Sequence, residues 1–247
     1  MPACLIEVSH LKGSYRNGKV GDGLPLSFRL YAGEIGVLPG GRKARSVLYM
    51  LMGLGRITAG RVRVAGHTPQ DLLKSKQSAL RRRVGFAFRS DGLLSNLNLE
   101  QNVALPCLYH GLATGNNDAR ARAVRVMDEL GIPSRYRQEL PAAVPDETVK
   151  NTLLARAAVL DPELLVLDDP AAMIPWPRLP DLMQWIRARR DAGCAVLLST
   201  ENYPFGLALA DWTLLPDETA VDYEFRRNLP APWVAVAGLM EGEAHGT

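Results

Sequence analysis

The 247-residue sequence contains no run of about 18 consecutive apolar residues, which argues against a membrane-crossing helix. Its start, MPACLIEVSHL, has no basic segment ahead of a continuous apolar stretch and does not read as a secretion signal. Cysteine is scarce: Cys4, Cys107 and Cys194 lack metal-ligand spacing, cannot all pair, and read as small apolar residues in a reducing compartment. The four histidines, His10, His67, His110 and His245, form no spaced set, so they do not point to a metal site. Charge is nearly balanced, with 29 Lys and Arg against 26 Asp and Glu, so nothing argues for nucleic acid. The short cluster Arg81, Arg82, Arg83 reads as a solvated helix end. No repeat of about 20 to 50 residues is present, which excludes a solenoid. What remains is an ordinary globular composition, 47% hydrophobic and 22% charged, long enough for one large domain or two closely joined lobes. The expectation is a cytoplasmic protein that reaches a membrane only through a partner.

Cys4 to Val8 and Leu26 to Leu30 have strand-like patterning, with Gly13, Gly18, Gly21 and Gly23 as turns between them. Ile35 to Leu38 reads as a short buried strand, Val47 to Leu54 as a helix body, and Gly60 to Gly66 as an alternating strand. A helix over about 71–82 leads to a strand at Val84 to Phe88. A helical region follows, with Asn98 or Glu100 near one helix start and Asp118 opening a longer helix whose Ala123, Val126, Met127 and Leu130 share an apolar side. A helix from near Thr148 to Leu160 feeds the strand Leu164 to Leu167, and then come a helix at Leu179 to Arg190 and strands at Ala195 to Ser199 and Trp212 to Leu215. The pattern is α/β: antiparallel strands in front, a mainly parallel sheet, and an inserted helical lobe over about 93–160. The expected division is a domain over 1–227 and a tail or docking segment over 228–247, which Trp233 could pin to a surface.

The most informative segment is Leu164 to Pro170, LLVLDDP, a buried strand ending in two adjacent carboxylates suited to holding Mg²⁺ and orienting water. Together with GEIGVLPGGRKARSVLYMLMGL, VGFAFRSDGLLSNLNLEQNVALP and LARAAVLDPELLVLDDP, it resembles the nucleotide-binding subunit of an ABC transporter over about residues 5–215. The three pieces look like the phosphate loop and its helix, the glutamine-loop segment, and the end of the signature helix followed by Walker B. NVALPCLYH, after Leu93-Leu94, looks most like the ATPases of phospholipid and Mce-type lipid transporters.

The resemblance implies an ABC-type P-loop NTPase fold and ATP with Mg²⁺ as ligands, yet the matching positions depart from the family pattern. In the family register the loop glycines fall on Leu38, Gly41 and Lys43, beside Gly40, and the invariant lysine falls on Ala44. The hydroxyl pair falls on Arg45 and Ser46. A working loop needs glycines so that its N–H groups can curl around phosphates, and a lysine as a mobile point charge. Lys43 stands one step from the lysine position, where its direction differs. The glutamine position is Arg89, and an arginine cannot be a metal ligand. Asp168 stands at the Walker B aspartate, the one residue expected to hold Mg²⁺ if any is bound. Asp169 stands at the catalytic glutamate, one methylene shorter, and is the candidate general base. Both also read without chemistry, Asp168 as a backbone cap and Asp169 as a solvated strand-end residue.

The signature falls on Val144, Pro145, Asp146, Glu147 and Thr148. Carboxylates there would repel a phosphate by roughly 3 kcal/mol per unit-charge pair at about 5 Å and an effective dielectric of about 20. They would still suit the first turn of a helix. The switch histidine is Glu201, which would also repel phosphate, and Tyr15 is the surviving adenine-stacking position, or else a packing aromatic. The joint losses imply a catalytically degenerate subunit that works by assembly with a transmembrane permease, and with an intact ATPase wherever transport needs ATP, on the cytoplasmic face of the inner membrane. Bound cofactor would be none, or weak ATP and Mg²⁺. The alternatives are a weakly active transporter ATPase using Tyr15, Gly40, Gly41, Lys43 and Asp169, and a scaffold or regulator unrelated to a permease.

Overall fold

The computed structural model describes residues 2–16, 18–20, 26–74, 78–90, 92–112, 115–216 and 223–227. In chain order the elements are β1 (Cys4–Tyr15), β2 (Gly18–Val20), β3 (Leu26–Tyr31), β4 (Ile35–Pro39), α1 (Arg42–Leu51), β5 (Arg56–Val64), α2 (Pro69–Leu73), α3 (Ser78–Arg82) and β6 (Val84–Ala87). They continue with α4 (Leu99–Tyr109), α5 (Asn116–Glu129), α6 (Asp146–Ala158), β7 (Leu164–Asp168), α7 (Leu179–Asp191), β8 (Ala195–Thr200), α8 (Tyr203–Leu209), β9 (Trp212–Pro216) and β10 (Tyr223–Arg227).

Two sheets carry these strands. β1 pairs antiparallel with β2, β3 and β5 in the front sheet, while the central sheet runs β10-β9-β4-β8-β7-β6. The pairings β9 with β4, β4 with β8, β8 with β7 and β7 with β6 are all parallel, and only β10 is antiparallel. β4, β6, β7 and β8 therefore share one sheet, as the buried apolar segments predict. Their runs are continuously apolar because both faces are covered. Leu164, Val166, Ala195 and Leu197 face α1 and the front sheet, whereas Leu165, Leu167, Val196 and Leu198 face the helices from α4 to α8. The architecture is an ABC-type P-loop NTPase fold: a mainly parallel core, an antiparallel front sheet and an inserted helical lobe.

Several local expectations need correction. Gly13 lies inside β1 and Gly18 opens β2, and the chain turns instead near Arg16, whose φ is 51°. A Cβ on Gly13 would meet the Arg56 carbonyl at 2.4 Å, so close approach to β5 is the reason for glycine there. The helix expected over 71–82 is two short helices, α2 and α3. The first is started by a Thr68–Asp71 capping box with Pro69 at its first position. β5 begins four residues earlier than the glycines suggest, at Arg56, and α1 begins at Arg42 instead of near Val47. β10 and α8 carry no expectation from sequence. Gly21, Gly23 and the tail over 228–247 lie outside the described residues.

Within the lobe, Asn98 is the cap expected of it: its side chain accepts from Gln101 N while Gln101 accepts from Asn98 N. Fully buried Asn102 then fixes the preceding loop, accepting from Leu94 N at 2.7 Å and donating to the Leu94, Leu97 and Asn98 carbonyls. That loop presents half-buried Leu93 and exposed Leu94. Lobe and sheet are joined by ion pairs in which Arg125 and Arg189 each contact both Glu129 and Asp161.

Candidate functional site

The C-terminal edge of a parallel sheet is where strands hand over to helices and where ligands of open α/β sheets sit. Here β4 passes into α1 through only Gly40 and Gly41. Gly40 N–H is consumed by the Thr200 carbonyl at 2.7 Å, and a Cβ at Gly40 would lie 2.6 Å from Glu201 N and from the Thr200 carbonyl carbon. This connection ties β4 to the end of β8 and leaves the Gly40 N–H unavailable to a ligand. Gly41 caps α1 with φ 108°, a backbone that glycine accommodates.

Side chains close the same edge. Leu38 lies in β4, and Ala44, at the lysine position, is packed into the core. Arg45 Nε stands 3.2 Å from Asp168 Oδ2, and Asp168 is buried. The two atoms are off the angle of a hydrogen bond and hold each other as charges. The other Asp168 oxygen accepts from Ser199 Oγ at 3.1 Å, so Asp168 does not cap backbone through its side chain. Arg89 makes a fork with Glu201, NH1 to Oε1 at 2.9 Å and NH2 to Oε2 at 3.1 Å, and its NH2 also approaches Asp169 Oδ2 at 3.5 Å. Asp169 is buried, not solvated, sits at φ 48°, and accepts from Thr200 Oγ1 at 3.2 Å. Burial raises its carboxyl pKa, with Arg89 and Lys150 pulling the other way. The Glu201 pKa is lowered, first by its hydrogen bond from Arg89.

Sequence reasoning passes over Lys150. It is completely buried, and its Nζ donates to three main-chain carbonyls: Phe88 at 3.2 Å, Arg89 at 2.9 Å and Asp168 at 3.2 Å. Desolvation lowers its pKa from 10.5 to about 8, against the raising pull of Asp169 and Asp168. The signal was present, because Lys150 shares the i, i+3, i+4, i+7 stripe of Leu153, Leu154 and Ala157 on α6, all buried. A lysine on such a stripe must find buried acceptors.

The remaining positions spread around this edge. Ser46 Oγ donates to the Arg42 carbonyl at 2.8 Å and to the Tyr15 carbonyl at 3.2 Å, so the hydroxyl fastens α1 to β1. The Tyr15 ring stacks on Tyr49, with centroids 4.2 Å apart, and the Arg16 guanidinium lies 5.5 Å from its centroid. Half-buried Lys43 lies in the first turn of α1. Pro145 precedes α6; Asp146 and Glu147 form its first turn, Thr148 is buried behind them, and half-buried Val144 packs against the lobe core. Glu147 accepts from Arg178 Nε at 3.3 Å. Among the described residues no group of His, Cys, Asp and Glu is arranged to hold a metal ion. The residues present do not fit a Mg²⁺-bound triphosphate: the loop N–H is spent, the lysine position is buried alanine, and arginines stand against both Walker carboxylates.

Known proteins show where this edge belongs. The sequence model of the ABC transporter family matches residues 25–172, more than half of the chain. The chain belongs to the ABC transporter family. Binding of ATP with Mg²⁺ is typical of this family's ATPase domains. Among similar ABC proteins is the macrolide export ATP-binding/permease protein MacB of Hyphomonas neptunium, 26% identical over 94% of this chain and 39% of that protein. MacB of Escherichia coli K12 is 29% identical over 80% of this chain and 31% of the relative. YknY of Bacillus subtilis, an uncharacterized ABC transporter ATP-binding protein, is 26% identical over 80% of this chain and 87% of its own length. The chain thus spans less than two fifths of those MacB relatives and most of YknY. In fold it is similar to the ATP-binding cassette MJ0796 in a dimeric post-hydrolysis state bound to ADP and Pi, with a TM-score of 0.77 at 17% identity, covering 91% of this chain and all of that one.

Proposed function

We propose that this ABC chain is a catalytically silent subunit of a membrane transport complex, contributing assembly and not turnover. The observation that carries the reading is the closed set of internal charges at the sheet edge, Arg45 with Asp168 and Arg89 with Asp169 and Glu201. Cations of the protein stand against the carboxylates on which Mg²⁺ and the attacking water depend elsewhere in the family. A nucleotide would have to break these pairs, and the spent Gly40 N–H and buried Ala44 offer it nothing in return.

The surface presented by α4 supports the assembly role. Leu94, Leu108 and Tyr109 are exposed, and a cavity of about 320 Å³ beside α4 is lined in part by Leu54, Leu73, Pro106 and His110. A cytoplasmic helix of a permease is the occupant this reading assigns. No described helix is long and apolar enough to cross a membrane. In this reading a partner supplies the membrane part and the chain sits on its cytoplasmic face. MacB relatives are named as ATP-binding/permease proteins, which supports that pairing. The similarity of NVALPCLYH to phospholipid and Mce-type ATPases supports a lipid cargo. The working unit in this reading is 1–227 with its lobe over about 93–160, and 228–247 is a docking tail. An intact ATPase subunit supplies hydrolysis wherever the complex turns over ATP.

Calorimetric titration of the full chain with Mg-ATP tests the reading. The expected outcome is no saturable binding tighter than about 1 mM, equivalent to about −4 kcal/mol. Micromolar affinity would sink it and favour a weakly active ATPase built on Lys43 and Asp169.

A further inference from the structure

The front sheet packs one face on α1 and the core and turns the other to solvent, and its register fixes what the solvent face carries. Residues directly opposite in an antiparallel pair share a face. Glu7 of β1 stands between Arg63 of β5 and Arg29 of β3, Ser9 stands opposite Arg61, and Ser14 stands between Arg56 of β5 and Lys19 of β2. Lys12 points the same way, because its neighbours Leu11 and Gly13 are buried. Among the described residues this face therefore holds six cations and one carboxylate. Lys12 is half-buried and the other five cations are exposed. Arg29 pairs with Glu7 at 3.1 Å, and Arg63 donates to the Gly66 carbonyl at 3.0 Å. Lys12, Lys19, Arg56 and Arg61 enter no ion pair among the described residues. Glu34, in the turn after β3, already accepts from Tyr31 N at 3.0 Å.

Composition does not produce such a patch, since the whole chain has 29 Lys and Arg against 26 Asp and Glu. Where β1 runs between the cations of its neighbours it supplies serine at positions 9 and 14, so their charge is left for an external anion. The face also selects among anionic partners. None of the exposed large apolar side chains among the described residues lies on β1, β2, β3 or β5. A protein interface draws its energy from anchors of that kind, and a single-stranded nucleic acid needs aromatic platforms. Reading a duplex takes an element that enters a groove, whereas these cations lie across one sheet. Charge spread over a sheet, with hydroxyls between, suits a plane of headgroup phosphates. The array also begins beside the cavity at α4, because Arg56 stands two positions after Leu54, which lines it.

We propose that the outer face of the front sheet rests on the anionic headgroups of a lipid bilayer, with Lys12, Lys19, Arg56, Arg61 and Arg63 against lipid phosphates. This contact rests on the assembly reading above for its place beside a membrane. It is a hold on the membrane separate from the permease, made by charge alone, and it keeps the chain at the surface before a partner is engaged. Each cation near such a surface contributes about fivefold in affinity.

Cosedimentation of the full chain with vesicles of phosphatidylcholine containing about one third phosphatidylglycerol tests it, against vesicles of phosphatidylcholine alone. Binding to the anionic vesicles is expected at about 50 mM NaCl and should be lost toward about 500 mM, where screening acts within a few ångströms. Arg56→Ser with Arg61→Ser should weaken binding about 25-fold. Arg56→Lys with Arg61→Lys should stay within about threefold, because a headgroup field reads charge and not the guanidinium fork. Arg135→Ser with Arg187→Ser removes two exposed cations from the lobe and from α7, changes net charge equally, and should stay within about twofold. Circular dichroism on each variant checks that the fold survives. No binding to anionic vesicles at about 50 mM NaCl, equal binding to both kinds of vesicle, or an Arg56 and Arg61 serine variant no weaker than the Arg135 and Arg187 one would overturn the proposal. So would a chain that ignores vesicles and binds a duplex oligonucleotide through Arg56 and Arg61. Mg-ATP calorimetry on the same sample separates this face from the silent site. Vesicle binding together with micromolar Mg-ATP affinity removes the silent reading and leaves the lipid face, whereas absence of both kinds of binding removes the lipid face and leaves the silent reading intact.

Discussion

Lys150 sets the balance of the candidate site at the residue scale. Its ammonium satisfies three carbonyls from two strand ends, but burial makes its charge costly, and its pKa falls from 10.5 to about 8. Between those two values the unfolded chain binds the proton more tightly than the folded one, so this group's cost is fully present below about pH 8 and fades as pH rises toward 10.5. Its contribution to stability should therefore rise with pH across that window. Lys150→Met should remove the rise, and it should destabilise by about 1–3 kcal/mol at pH 9 because carbonyls lose their donor. Urea midpoints of both proteins from about pH 7.5 to 10 check both effects. Parallel pH profiles would show that Lys150 does not titrate in this range. The arginines were legible as residues that cannot serve Mg²⁺, and their partners were not. Arg45 meets Asp168 from across the sheet, and Arg89 meets Glu201 from 112 positions away, a proximity that only the strand order creates.

At the scale of elements, α1 is the one whose start opposes its own dipole. With Arg42, Lys43 and Arg45 in or beside its first turn and no acid there, Arg42→Glu should stabilise the monomer by about 0.3–1 kcal/mol at low salt, less at high salt. Thermal unfolding at about 500 mM NaCl, where screening is strong, against about 50 mM provides the check. α1 also marks where the sequence could be read and where it could not. The strands β4, β6, β7 and β8 are legible because parallel strands covered on both faces leave unbroken apolar runs. The start of α1 is not: Arg42, Lys43 and Arg45 carry no apolar periodicity, so only the apolar turns from Val47 onward announce a helix. α2 and α3 look like one helix because Leu72 and Leu80 are both buried and share the apolar spacing that a single helix would show. β10 has no readable pattern of its own, being recruited as an antiparallel neighbour of β9.

On the scale of the whole molecule, a helical lobe and a sheet core are held together by the chain's own side chains. Lys150 pins α6 to the ends of β6 and β7, Arg178 holds Glu147 from beside α7, and Arg125 with Arg189 bridges α5 to the turn before β7 and to α7. The passage from β4 to α1 through Gly40 and Gly41 has a consequence for how this molecule could change over time. Ala44 is the third residue of α1, just past this connection, and is packed into the core. Ala44→Lys should therefore bury an ammonium, lower the melting temperature, and leave Mg-ATP affinity weaker than about 1 mM by calorimetry. Every position of the family's loop has a counterpart here at the same chain length, so a cradle would need several side chains changed together, Leu38, Lys43, Ala44 and Arg45 among them. In the proposed reading the departure from ATP chemistry works as a ratchet: each single reversal leaves the other changes in place, so no one substitution brings the cradle back.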